Sequence, residues 1–332
     1  MDTWQWVLLV ILLLLVVNYV ARLAFDRLTV PVGCTADLAE GFESGANAST
    51  GGDAFASKAE WLSTEDLYDD FYASVYNKIF QHDALVQAEA IVAMQEWGKS
   101  MNKKEMRILD AACGTGVATC LFAKQGVGSV TGIDRSAAML RSAKSTVLPA
   151  TTLSPVERER IRWKEADLYG PSAASGAEFT HACMLYFGIY EFRDIDAILK
   201  NLAFWVQPGG GLVIEVVNKY KFEPIPDVAN PWVAVSPQKY TKDRIVKSKA
   251  VFDKFDYETE FDLEDPRAEF KEVFRFKDKT VRRQKHVLWM PSLPQIVQKA
   301  REAGWIYKKY VDLQFTGFSY GYLMFFTRSM NA

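Results

Sequence analysis

The stretch Arg107-Ile-Leu-Asp-Ala-Ala-Cys-Gly-Thr-Gly-Val117 decides how the rest of this 332-residue chain is interpreted. An apolar run that ends in Asp110 predicts a short strand. The small residues around Gly114 and Gly116 predict a tight turn, and Val117 to Lys124 follows with a helical pattern. Glycine lets the backbone approach a ligand closely, and a helix N-terminus presents unpaired N–H groups. A strand, a glycine turn and a helix in this order are typical of a site for a nucleotide-type ligand.

A second strand is predicted at Ser129 to Asp134, and its final acid lies 24 residues after Asp110. In a βαβ unit, a carboxylate about 20 residues further on hydrogen-bonds the ribose hydroxyls of the ligand. Ser136 then has the character of a helix N-cap. The dinucleotide fingerprint G-x-G-x-x-G is incomplete, because only Gly114 and Gly116 are present. This gap argues against a nicotinamide-dependent oxidoreductase.

The pattern D-x-x-C-G-x-G resembles motif I of the class I S-adenosylmethionine-dependent methyltransferases, usually written [DE]-x-G-x-G-x-G. Ala112 stands where the first glycine is commonest, a small change that leaves the turn feasible. The expected later elements of that family follow in order: a third motif at Ile161–Leu168, a buried strand at Phe179–Gly188, and the Pro-Gly-Gly turn with the fifth strand at Val206–Val216.

The resemblance implies an α/β, Rossmann-like, seven-stranded class I methyltransferase fold with S-adenosyl-L-methionine as its cofactor. Asp134 would bind the ribose hydroxyls, and Asp167 the adenine amino group. From the residues alone, Asp134 could instead cap a helix, and Asp167 could be an ordinary surface acid. The predicted cofactor-binding residues are Tyr76, Asp110, Ala112, Gly114, Thr115, Gly116, Asp134, Arg135, Asp167, Leu168 and Met184.

Methyl transfer from a sulfonium is an in-line displacement, so the protein must align the two reactants in a dry pocket. A base is needed only when the nucleophile starts protonated. Tyr186, Tyr190 and Glu191 follow the predicted fourth strand and could act as base or orienter, or line the pocket passively. No N/D-P-P-[YF] signature occurs there, which weakens assignment as an amide or exocyclic-amine methylase of DNA or protein glutamine.

A tyrosine-rich segment precedes the core, with Tyr68, Tyr72 and Tyr76 at helical spacing. In many small-molecule methyltransferases such a segment covers the cofactor. By this resemblance, the three tyrosines are candidates to contact the methionine part of the cofactor or the substrate. The alternative is a helix that only packs on the sheet.

The first residues predict a membrane anchor, because Trp4 to Ala21 is almost wholly apolar. Eighteen residues at about 1.5 Å each span roughly 27 Å, close to the thickness of a hydrocarbon core. No Lys or Arg precedes the run, which argues against a cleaved signal peptide. Arg22 and Arg27 follow it and predict a single-pass membrane protein with a cytoplasmic catalytic domain. We assign residues 4–22 to the transmembrane helix and residues 23–57 to a flexible linker.

The remaining boundaries follow from changes of pattern. Residues 58–218 alternate strands and helices and form the predicted cofactor-binding core. Residues 219–290 predict an antiparallel insertion that resembles the substrate-covering sheet of small-molecule methyltransferases, and residues 291–332 a helix and two closing strands. The insertion strands are expected at residues 245–255, 257–261, 269–276 and 280–290, with a hairpin around Lys277-Asp278.

Basic residues in the last insertion strand allow two interpretations. Arg282, Arg283, Lys285 and His286 could bind an anionic substrate, or they could form the solvated face of a strand, which we favour. The formal charge of −2 gives no reason to expect nucleic acid as a partner. Neither the four cysteines nor the three histidines show metal-ligand spacing, so no metal site is expected.

These observations predict a membrane-anchored methyltransferase that acts on a small-molecule or lipid-associated acceptor. A protein N-methyltransferase and a catalytically silent module that binds S-adenosylmethionine remain as alternatives.

Overall fold

The computed structural model describes Phe55, residues 60–226, Ala229 and residues 244–330. The predicted transmembrane segment, residues 4–22, lies outside the described residues, as does the predicted linker apart from Phe55. Within the described ranges, no helix combines the length and the apolar character that a membrane crossing requires.

A seven-stranded sheet forms the centre of the described chain, in the order β10-β11-β5-β4-β1-β2-β3. Strands β1 to β5 pair in parallel, whereas β11 runs antiparallel to both β5 and β10. The predicted seven-stranded fold with an antiparallel closing pair is therefore confirmed. The strands of this sheet are β1 Arg107–Ala111, β2 Ser129–Asp134, β3 Ile161–Glu165, β4 Phe179–Met184, β5 Val206–Val217, β10 Trp305–Asp312 and β11 Gly321–Arg328.

A second, four-stranded antiparallel sheet lies within the range predicted for the insertion. Its strands are β6 Lys247–Val251, β7 Phe255–Glu264, β8 Arg267–Phe276 and β9 Val281–Trp289. The hairpin expected around Lys277-Asp278 joins β8 to β9, where the Phe276 N–H donates to the Thr280 carbonyl at 2.9 Å. The first strand is shorter than predicted, because the chain bends between Val251 and Phe255.

Helices flank the sheets, and their starts follow from capping residues. Asp69 accepts a hydrogen bond from the Tyr72 N–H at the start of α1, and Ser136 accepts one from the Met139 N–H at the start of α4, as predicted. The α-helices are α1 Asp70–Phe80, α2 Asp83–Trp97, α3 Val117–Lys124, α4 Ala137–Ser142, α5 Leu148–Ala150, α6 Pro155–Arg158, α7 Ile195–Trp205 and α8 Leu293–Glu302.

The core is divided by the seven-stranded sheet, because alternate residues of a strand face opposite sides. Leu212 and Ile214 pack in one apolar cluster with residues of α7 and α8. Val213 packs in another cluster with residues of α2 and α3. A third cluster joins α1 and α4 to β7 and β8. Helix α1 therefore connects the second sheet to the core, and the space between them is the site described next.

Candidate functional site

A cavity of about 370 Å³ lies at the carboxyl ends of the parallel strands, beneath the second sheet. It has the size of a pocket for a small ligand, which is roughly 300 to 1,000 Å³. The segments after β1, β2 and β3 supply one wall. The rest of the lining comes from the segments after β4 and β5, from Tyr68 and α1, from β7, β8 and β9, and from residues of α2, α4 and 316–319. In open α/β sheets, this edge is where ligands bind.

The glycine turn after β1 forms part of this wall. Gly114 has a φ of +53°, and a β-carbon built there would have no neighbouring atom within 4 Å. Gly116 has a φ of +77°, and a β-carbon there would lie 2.3 Å from the Trp163 ring. Ala112 lines the cavity in the left-handed region, with a φ of +57°, at a cost of about 1 kcal/mol. The turn therefore forms with alanine in place of the expected glycine.

Asp134 lies at the end of β2 and holds two turns together. Its Oδ2 accepts from the Gly114 N–H and its Oδ1 from the Ser136 N–H, each at 2.8 Å. Burial raises the pKa of Asp134, whereas these backbone hydrogen bonds act against that rise. The carboxylate lines the cavity, and each oxygen retains acceptor capacity for a ligand hydroxyl. Ser136, and not Asp134, is the N-cap of the following helix, so the capping alternative for Asp134 is wrong, and its role in ligand binding stays a prediction.

Three further predicted residues line the same wall. Arg135 is exposed and donates to the Thr64 carbonyl at 2.6 Å. Asp167 accepts from the Tyr169 N–H at 2.9 Å through Oδ1, and its Oδ2 makes no hydrogen bond within the described part of the chain. Leu168 is buried beside it. Together with Gly114 and Asp134, these residues present two carboxylates, a guanidinium and the apolar Leu168 side chain along this wall.

Five predicted site residues do not line the cavity, and this corrects the sequence interpretation. Asp110 is buried, accepts from the Thr119 hydroxyl at 2.5 Å, and has its pKa raised to about 6 by burial. Thr115 donates to Asn77 Oδ1 at 2.8 Å and so ties the turn to α1. Gly116 packs against Trp163. Met184 is fully buried, and the buried Tyr190 hydroxyl accepts from the Val217 N–H at 2.9 Å. These residues lie beneath the cavity lining and stabilise the turns and strands that carry it.

The opposite wall contains a buried chain of carboxylate, imidazole and carboxylate. His286 Nδ1 lies 3.1 Å from Glu191 Oε1, and its Nε2 lies 2.9 Å from Glu272 Oε2. The Tyr68 hydroxyl donates to Glu191 Oε1 at 2.8 Å, and the Tyr72 hydroxyl donates to Glu272 Oε2 at 2.9 Å. Of these five side chains, Tyr68, Glu191 and His286 line the cavity, whereas Tyr72 and Glu272 lie behind it.

His286 is a cation in this environment. Burial alone would lower its pKa, but the hydrogen bonds to Glu191 and Glu272 outweigh burial and raise the pKa to about 10. Both ring nitrogens therefore donate, one to each carboxylate. The solvated-strand interpretation was wrong for His286, which is 5% exposed. Arg282 and Lys285 instead pair with Asp69 and Glu269, away from the cavity.

Tyr186 and Tyr76 line the cavity between the two walls. The Tyr186 ring stacks on His82 at a centroid distance of 4.1 Å, and its backbone has a φ of +46°. Its N–H donates to Glu215, which is buried next to Glu89. Burial raises the pKa of both carboxyls, and for Glu89 the Glu215 charge raises it further. A proton held by Glu89 explains how two buried acids coexist.

Much of the lining was not predicted from the sequence. It consists of aromatic rings contributed by segments far apart in the chain: Phe80, Tyr169, Phe187, Phe192, Phe222, Phe261, Phe270 and Phe318. In β9, the structure places Gln284, His286 and Leu288 on the more buried face, but Val287 and Trp289 lie on the other face, so the sequence does not show this alternation. Among the described residues, no group of three or more His, Cys, Asp or Glu side chains could hold a metal ion.

Comparison with known proteins agrees with this architecture. Residues 108–210 match the family model described as "Methyltransferase domain". No match was found among the curated proteins.

Solved structures of methyltransferases superpose on most of the chain. One is an S-adenosylmethionine-dependent methyltransferase from Clostridium acetobutylicum, with 15% identity and a TM-score of 0.57 over 78% of this chain and 98% of that one. Another is the CcbJ methyltransferase from Streptomyces caelestis, with 12% identity and a TM-score of 0.55 over 79% and 98%. A third is CalS10, an amino pentose methyltransferase from Micromonospora echinaspora with S-adenosylmethionine bound, with 18% identity and a TM-score of 0.51 over 74% and 92%. The chain therefore has the class I methyltransferase fold.

Proposed function

We propose that this protein is an S-adenosyl-L-methionine-dependent methyltransferase that acts on a small-molecule or lipid-associated acceptor. The observation that carries the proposal is the juxtaposition of Gly114, Asp134 and Asp167 along one wall of the cavity. The match of residues 108–210 to a methyltransferase domain family supports it independently.

The residues present fit the proposed cofactor. The space in front of Gly114 admits a ligand close to the backbone, Asp134 offers acceptors to ribose hydroxyls, and Asp167 offers an oxygen to an amino group. Leu168 and Met139 supply apolar contacts for a base. When bound, the cofactor supplies an electrophilic methyl carbon on a sulfonium, and the protein supplies orientation and exclusion of water.

The second sheet supports a small acceptor in preference to a protein chain. Phe261, Phe270, His286 and Leu288, from three of its strands, close over the cavity, and the aromatic rings of Phe80 and Phe318 also line it. This surface suits a compact, partly apolar molecule.

The experiment that tests the proposal is calorimetric titration of the full chain in a mild detergent with S-adenosylmethionine, S-adenosylhomocysteine and NADH. We expect micromolar binding of the first two ligands and none of the third. Binding of NADH alone would identify an oxidoreductase, and absence of all three would contradict the proposal.

We also propose that residues 4–22 anchor the protein in a membrane with the following residues in the cytoplasm. The apolar run and the two arginines after it support this proposal. Alkaline extraction should leave the protein in the membrane pellet, and protease added to sealed cells should spare the domain. Release by alkali, or digestion from outside, would contradict it.

A further inference from the structure

The charged groups that line the cavity are mainly acidic. Among the described lining residues, Asp134, Asp167, Glu191 and Glu223 carry carboxylates, whereas Arg135 and His286 are the basic side chains. The exposed Arg135 guanidinium is bound to the Thr64 carbonyl. The charge of His286 is divided between Glu191 and Glu272, and Glu272 adds a further negative charge directly behind the wall. Asp134 and Asp167 lie on the wall proposed for the cofactor, so Glu191 and Glu223 supply the negative charge that attracts a cationic acceptor.

Glu191 has hydrogen-bonding capacity that the described protein does not use. Oε1 receives the Tyr68 hydroxyl and His286 Nδ1, whereas the buried Oε2 has no hydrogen-bond donor among the described residues. A buried acceptor without a donor costs about 1–3 kcal/mol. A ligand N–H that reached this carboxylate would remove that cost. Because Tyr68 and His286 both bind Oε1, they hold the Glu191 carboxylate in a fixed orientation, in which Oε2 can accept the ligand N–H.

Aromatic rings near this carboxylate are suited to a cation. The Tyr68 and Phe270 ring centroids lie 5.6 and 5.9 Å from that of His286. The same wall already binds one cation within the protein, because the Arg244 guanidinium lies 4.8 Å from the Phe222 ring and 5.0 Å from the Phe261 ring. Those two rings are therefore engaged by Arg244, whereas the Tyr68 and Phe270 rings line the cavity beside the Glu191 and His286 pair.

We infer that the methyl acceptor is an amine, and that the Glu191 carboxylate binds its nitrogen. This inference rests on the proposed function. An ammonium group binds to Glu191 by a charge-assisted hydrogen bond. His286 and Glu272 are positioning residues, since they hold Glu191 in a fixed orientation.

The test compares amines with alcohols of the same shape. The full chain is saturated with S-adenosylhomocysteine and titrated calorimetrically with 2-phenylethylamine and 2-phenylethanol, and with hexylamine and hexanol. The variants are Glu191→Gln and, as a matched control, Glu165→Gln, which makes the same chemical change at an exposed residue outside the cavity. We expect the amine of each pair to bind more tightly. Glu191→Gln should weaken amine binding by roughly 10- to 100-fold and leave alcohol binding unchanged.

The outcomes separate this inference from the proposed function. If S-adenosylhomocysteine binds but the alcohols bind as well as the amines, or no amine binds, the amine inference is wrong and the methyltransferase proposal stands. If Glu191→Gln weakens S-adenosylhomocysteine binding as much as amine binding, Glu191 belongs to the cofactor site and the inference is also wrong. If S-adenosylhomocysteine itself does not bind, the proposed function is contradicted.

Discussion

The two walls of the cavity are built from different kinds of contact. In the wall formed by the turns after β1 and β2, backbone N–H groups of Gly114 and Ser136 bind the Asp134 carboxylate. In the opposite wall, side chains bind side chains, and the partners lie between 14 and 200 residues apart in sequence. The first wall therefore depends on backbone conformation, and the second on charge. Changes that affect one property should damage one wall and spare the other.

Gly116→Val should have the largest effect, on the backbone-dependent wall. The new side chain would collide with Trp163, and a φ of +77° is strained for valine. We expect a loss of roughly 3–5 kcal/mol in the free energy of unfolding. Urea denaturation followed by circular dichroism measures it.

Gly114→Ala is the matched control for Gly116→Val. Its φ is also positive, but no atom lies within 4 Å of the added carbon. Stability should fall by only about 1 kcal/mol, whereas the affinity for S-adenosylhomocysteine should fall because the methyl group occupies ligand space. Equal destabilisation by the two variants would show that steric contact with Trp163 is not the cause.

Asp134→Asn should have the next largest effect, which is on the affinity for S-adenosylhomocysteine. The amide keeps one oxygen but removes the charge and one acceptor from the ligand side. The affinity for S-adenosylhomocysteine should fall by roughly 10- to 100-fold in calorimetric titration, with a smaller effect on the melting temperature. Glu165→Gln is the control and should leave the affinity unchanged. Full affinity in the Asp134→Asn variant would remove Asp134 from the cofactor site.

Glu272→Gln tests the charge-dependent wall. The chain has three histidines. Burial lowers the pKa of His82 and His181 to about 4, whereas that of His286 is about 10. Nitrogen NMR at pH 8 should therefore show one imidazolium and two neutral rings. Glu272→Gln should lower the pKa of His286 by at least one unit, equivalent to about 1.4 kcal/mol.

The His286 pairing also has a defined pH window. Its folded pKa lies above the ordinary value of about 6.5, so the pairing stabilises the fold fully below that value. The stabilisation is lost as pH rises through about 10. Glu258→Gln, on the neighbouring strand β7, should not change the His286 titration. Three neutral imidazole rings in the wild-type protein at pH 8 would contradict the pairing of His286 with Glu191 and Glu272.

Glu89→Gln should have the smallest effect. The pKa of Glu89 is raised in the folded state, so its contribution to stability is present below about pH 4.5 and is lost as pH rises. A neutral amide avoids that loss and can still donate to Glu215. We expect a gain of about 1 kcal/mol at pH 8 and none at pH 4, measured by urea unfolding. Destabilisation at pH 8 would contradict a protonated Glu89.

The sequence predicted the backbone-dependent wall well for a physical reason. A strand, a glycine turn and an acid at the next strand end form a local pattern, so Gly114, Asp134 and Asp167 could be recognised without knowledge of the fold. Position at a strand end does not reveal which way a side chain faces. Met184 and Tyr190 were therefore predicted to face the ligand, although both are buried behind it.

The charge-dependent wall could not be assembled from the sequence in the same way. Glu191 and His286 are 95 residues apart, and Glu272 shows its role only when β8 and β9 are paired in register. The basic neighbours of His286 favoured a solvated strand. Apolar residues lie on both faces of β9, with Leu288 on one and Val287 and Trp289 on the other, so strand alternation indicated neither the burial of His286 nor its two carboxylate partners.

The most direct test of the account is an experimental structure of the full chain with S-adenosylhomocysteine bound. We predict that the ligand lies along Gly114, Asp134 and Asp167, with its ribose hydroxyls at Asp134 and with space left beside Glu191 for an acceptor. A ligand that occupies the Glu191 and His286 wall, or that binds outside the cavity, would contradict the assignment of the two walls.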